Sequence, residues 1–107
     1  MSDAFHNRED TFEKQFVNDE ALRFRATARR NKALAVWIAD LKGVSAEAAQ
    51  TFAEEFVGGQ TGRSDDDVVA AIRDDLARAG VEISDHRVRK KMGEEMTAAL
   101  ASVRAGK

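Results

Sequence analysis

The sequence predicts an all-α fold, a small four-helix bundle preceded by a mobile N-terminal segment. Apolar residues recur at three- and four-residue spacing in successive stretches, and the breaks between these stretches are short and rich in Gly and Ser. Such residues end and start helices. The only alternating stretch, Val81 to Ile83, is too short for an independent sheet.

The axis of the bundle is the glycine-free run from Glu20 to Lys42, where Leu34, Trp37, Ile38 and Leu41 share one helix face. Trp37 is expected near the centre. Gly43 supplies a left-handed cap, and Ser45 starts a second helix running to about Val57, with Ala49, Phe52, Ala53 and Phe56 inward and Gly58 and Gly59 as its stop. Ser64, three residues before Asp67, opens a third helix whose first turn holds Asp65, Asp66 and Asp67, where the helix dipole favours negative charge. Val69, Ile72, Leu76 and Ala79 form its buried stripe. Ser84 caps a fourth helix, buried through Val88, Met92, Met96, Leu100 and Val103.

Upstream of the axis, Phe5, Phe12 and Phe16 line up when wound at about 100° per residue, in an otherwise polar segment. A helix this poor in apolar residues is marginal alone in water. Residues 1–18 are therefore expected to form a mobile arm and residues 19–107 the bundle, with Asn18 and Asp19 as the joint. Two readings of the stripe stand: it folds back onto the bundle, or it binds as a helix in a partner's groove. Spacing does not choose between them.

The 107-residue length suits one domain, and the absence of cysteine removes disulfides, thiolate nucleophiles and Cys-ligated metal. No apolar run approaches the roughly 20 residues that span a bilayer, and the acidic N-terminus is no secretory signal. These features predict a soluble, cytoplasmic protein without direct membrane insertion. The net charge of −2 gives no overall attraction to nucleic acid. Locally the charge is divided: Asp3, Glu9, Asp10, Glu13, Asp19 and Glu20 lie in the first twenty residues, whereas the following stretch to Ala39 holds Arg23, Arg25, Arg29, Arg30 and Lys32 with no carboxylate. Arg29, Arg30 and Lys32 either pair with Glu54, Glu55 or the acidic start of the third helix, or hold a nucleotide or a carboxylate-rich partner.

Other tempting sites are thin. The loop Gly58 to Ser64 departs from a phosphate-binding P-loop, because Val57 stands where the motif has its first glycine and Arg63 replaces its lysine. The triple aspartate lacks the alternation of a calcium loop. His6 and His86 stand alone, and no nucleophile, base and acid set can be assembled. The cluster His86, Arg87, Arg89, Lys90 and Lys91 has no interleaved aromatic and reads as a solvated helix face. No cofactor, metal or enzymatic activity is expected.

The block from Arg8 to Leu41, REDTFEKQFVNDEALRFRATARRNKALAVWIADL, resembles the zeta subunit of the α-proteobacterial F-type ATP synthase. The residues carrying the likeness are Arg8 and Glu9, Phe12 and Glu13, Phe16, Leu22 to Phe24, Ala28 to Lys32 and Trp37, with Ala79 to Ser84 and Arg89 to Met92 later in the chain. The resemblance implies a non-catalytic inhibitor of ATP hydrolysis. In such a protein the N-terminal segment inserts as a helix at a catalytic α/β interface, reaches the γ subunit of the central stalk and blocks rotation in the hydrolytic direction. It further implies that Phe5, Arg8, Glu9, Phe12, Glu13 and Phe16 form the inserted face, and that Arg23, Arg29, Arg30 and Lys32 lie at the mouth of the cleft. The protein would sit at the cytoplasmic face of the inner membrane through the enzyme. The alternative is a regulatory protein that binds a nucleotide or small ligand through the basic block near Trp37.

Overall fold

A computed structural model describes residues 2–106, with side chains for residues 19–106. Four helices follow in order: α1 (Ser2–Lys42), α2 (Ala46–Gln60), α3 (Asp65–Arg78) and α4 (Asp85–Arg104). No strand occurs among the described residues.

Helix α1 is one uninterrupted element through Asn18 and Asp19, the pair expected to part the arm from the axis. The chain offers no reason to break there, since the first glycine is Gly43 and there is no proline. Gly43 ends the helix at φ +69°, where a Cβ would be strained. It donates its N–H to the Asp40 carbonyl at 3.1 Å, and Val44 donates to Ala39 at 3.3 Å, the paired bonds of a Schellman cap. Gly80 repeats the device after α3, with its N–H on Ala77 and that of Val81 on Leu76. The Ser predictions hold at all three starts: the hydroxyls of Ser45, Ser64 and Ser84 accept from the N–H groups of Ala48, Asp67 and Arg87.

Cross-helix contacts give the directions. Arg30 pairs with Asp65 and Lys42 with Asp75, so α3 runs in the sense of α1. Arg29 reaches Ser102, and Lys91 lies over the Trp37 ring, so α4 runs antiparallel to α1. Short turns between consecutive helices complete an up-down-up-down bundle.

The main core joins Leu34, Ala35 and Ile38 of α1 to Phe56, Val68, Val69, Ile72, Leu76, Val88 and Met92. A smaller cluster lies farther back along α1, where Leu22 and Ala26 meet Met96, Ala99, Leu100 and Val103. Four expectations need correction. Trp37 packs against the core half-buried, while Leu34 and Ile38 occupy its centre. Gly58 and Gly59 are helical: Phe56 and Gln60, one turn apart and both buried, carry α2 onward, and the left-handed turn falls at Gly62. Ala79 is exposed because it is the C-cap of α3, and Val68 takes its place in the stripe. Ala99 joins the inner face of α4. The stretch Val81 to Ser84 is an irregular connector held by the Arg73 guanidinium donating to the Ile83 carbonyl at 3.1 Å.

Candidate partner-binding site

The proposed partner-binding residues all lie on α1 and fall into two groups. The side chains of Phe5, Arg8, Glu9, Phe12, Glu13 and Phe16, with that of His6, lie outside the described residues. The basic group can be followed atom by atom, and the structure divides it.

Arg30 is drawn inward and is only 3% exposed. It stands four residues from Ala26 and four from Leu34, on the buried side of α1. Its Nε and Nη2 donate to Asn31 Oδ1 at 3.1 and 3.0 Å, and its Nη1 donates to Asp65 Oδ1 at 2.8 Å. Asn31 is itself 2% exposed, whereas the Asp65 side chain is 67% exposed at the first turn of α3. The guanidinium thus ties α1 to the start of α3, fixing the register of the two helices. Among the described residues no buried side-chain nitrogen or oxygen lacks a partner. The acidic start of the third helix was one of the expected partners, while Glu54 and Glu55 are not used. Four-residue spacing was the available signal that Arg30 faces inward.

Arg29 is half-buried and donates from Nη1 to Ser102 Oγ at 2.6 Å, which clasps α1 to the end of α4. Arg23 and Lys32 are exposed. The basic block near Trp37, considered for nucleotide binding, therefore does not converge: Arg30 is committed to Asn31 and Asp65, and Lys32 points to solvent. Lys91 Nζ lies 5.9 Å from the Trp37 ring centroid and pairs with Glu95 at 3.1 Å.

A further charged cluster joins the starts of α3 and α4. Arg89 bridges Asp85 at 2.7 Å and Asp66 at 2.8 Å. The hydrogen bond from Arg89 holds the Asp85 carboxyl below its ordinary value of 3.8, opposed by partial desolvation and aided by the positive charges of Arg89, Arg73 and His86. The turn before α3 places its own aspartates at the helix start, where an external anion would have to compete with them. No group of three metal-ligating side chains gathers among the described residues. No helix there is long and apolar enough to cross a membrane.

Sequence reasoning missed Phe24. It is 68% exposed on α1, between the exposed side chains of Arg23 and Arg25. Its apolar character favours no particular face, and only the packing of α4 on the side of Leu22 and Ala26 shows that Phe24 is left outside.

A comparison with curated proteins returned no match. The model of the ATPase inhibitor subunit zeta family matches residues 1–102, taking in the whole of α1 and nearly all of the bundle. The chain therefore belongs to the ATPase inhibitor subunit zeta family and is a non-catalytic regulatory protein.

Proposed function

We propose that this protein restrains ATP hydrolysis by the F-type ATP synthase by inserting residues 1–18 as a helix at a catalytic α/β interface, where the segment contacts the γ subunit and blocks reverse rotation. Residues 19–107 act as the bundle that carries and docks this arm. The observation that carries the reading is the family match through the N-terminal block. Two features of the chain support it. Helix α1 is one element from Ser2 to Lys42, so the arm continues directly from the helix whose Leu22 and Ala26 pack in the bundle. The Phe5, Phe12 and Phe16 stripe also supplies the apolar anchors that helix-in-groove binding uses, each contributing roughly 1.5–3 kcal/mol when buried, less the cost of ordering the arm.

Such a wedge needs no catalytic group of its own. Arg8, Glu9 and Glu13 would orient the arm, while the phenylalanines hold it. Arg23 and Lys32, exposed on the same helix beyond the arm, would face the mouth of the cleft.

The test removes Met1 to Asn18 and measures ATP hydrolysis by the purified enzyme with the added protein. Inhibition is expected to disappear while the circular dichroism melt of the bundle persists. In the full chain, Phe12→Ala or Phe16→Ala should weaken inhibition more than Glu13→Ala. A truncated protein that still inhibits fully would show that the arm is not the inhibitory element.

A further inference from the structure

On the outer side of α1, Phe24, Ala28, Lys32 and Val36 follow one another at four-residue steps, all exposed, with Phe24 at 68% and Val36 at 52%. A phenylalanine so exposed adds almost nothing to folding by burial. Some cations elsewhere are held in ion pairs, Lys42 with Asp75, Arg89 with Asp66 and Asp85, and Lys91 with Glu95. Arg23, Arg25 and Lys32 make no ion pair among the described residues, although Asp19 and Glu20 lie four and three residues before Arg23. An exposed aromatic framed by unpaired cations matches the make-up of an interface anchor, in which the ring supplies affinity and the charges supply orientation and encounter rate.

We propose that Phe24, flanked by Arg23, Arg25 and Lys32, is a second anchor that seats in an apolar pocket with an acidic rim on the ATP synthase head, just outside the cleft that receives the arm. This rests on the arm-insertion reading. Along α1, Phe24 is eight residues from Phe16, about 12 Å at 1.5 Å per residue and about 80° around the helix. An inserted arm would bring the Phe24 ring to the mouth of the cleft and toward a different wall from the one holding Phe16. The charge pattern selects an acidic protein surface over a second copy of the chain, since pairing two such patches face to face would oppose like charges.

The experiment uses the full chain. Binding to the purified ATP synthase head and inhibition of hydrolysis are measured for the original protein, Phe24→Ala and Arg25→Glu, beside Phe12→Ala as the arm control. Phe24→Ala should raise Kd about tenfold or more, as loss of an interface aromatic does, with unchanged thermal melting and full inhibition at saturation. Arg25→Glu should weaken binding and flatten its salt dependence. An unchanged Kd for Phe24→Ala, while Phe12→Ala loses inhibition, overturns the second anchor and leaves the arm reading standing. If Phe12→Ala and the arm deletion both inhibit fully, the arm reading fails and the placement of Phe24 beside it falls too. Phe24-dependent dimerisation in sedimentation velocity, with Kd for the enzyme unaltered, overturns the proposal in favour of self-association.

Discussion

Replacing Arg30 by Met separates the two roles a basic residue on α1 can have. Asn31 Oδ1 accepts two N–H groups from Arg30 and sits on a residue that is 2% exposed. Arg30→Met strands that acceptor, which costs about 1–3 kcal/mol. Loss of the pair with Asp65 adds less than about 1 kcal/mol, because that carboxylate is 67% exposed and returns to water. Relief of the guanidinium's burial offsets part of the total, so the net loss is about 1–3 kcal/mol, set chiefly by the orphaned amide. The double variant Arg30→Met, Asn31→Leu removes donor and acceptor together and should return to within about 1 kcal/mol of the starting protein. Urea unfolding followed by circular dichroism and by the fluorescence of Trp37, the one tryptophan, measures both. A single variant within about 0.5 kcal/mol of the starting protein, or a double variant no more stable than the single, refutes the account. Since Arg30 is turned inward, the folded single variant should still inhibit ATP hydrolysis.

Gly58 and Gly93 lie inside helices where an added Cβ meets nothing within 4 Å, so Ala at either should raise stability by about 0.5–1 kcal/mol, whereas Gly43→Ala at φ +69° should lower it; urea midpoints in the opposite order would contradict the cap assignments. For Asp85, a carboxyl held below its ordinary 3.8 contributes stability above that value and loses the contribution as pH falls through the lowered folded one. Asp85→Asn should therefore lower the melting temperature at neutral pH, and the gap should close as the pH drops below 3.8; a gap that widens in acid would count against the Arg89 pairing.

The helices were legible because each carries its own signals: Ser45, Ser64 and Ser84 at the starts, Gly43 and Gly80 at the ends, and a heavily buried stripe between. Where two local signals competed, tertiary packing decided. Gly58 and Gly59 read as a stop, but burying Phe56 and Gln60 on one face keeps α2 going to Gln60. The partner-binding set was legible only as composition. Its cations look alike in sequence, and their fates diverge because each points to a different neighbour.

By itself, the sequence determined the all-α class, the serine caps and the family, since these depend on local backbone chemistry and on residue pattern. Only the tertiary structure decided which cations of α1 are spent inside the bundle. Asp65, 35 positions away from Arg30, pairs with it because α3 runs alongside α1, and Ser102 takes Arg29 because α4 returns antiparallel. The same packing leaves Phe24, Arg23, Arg25 and Lys32 facing outward. Sequence spacing fixes the angle at which a side chain leaves its helix, whereas what it meets there depends on how the other helices are placed.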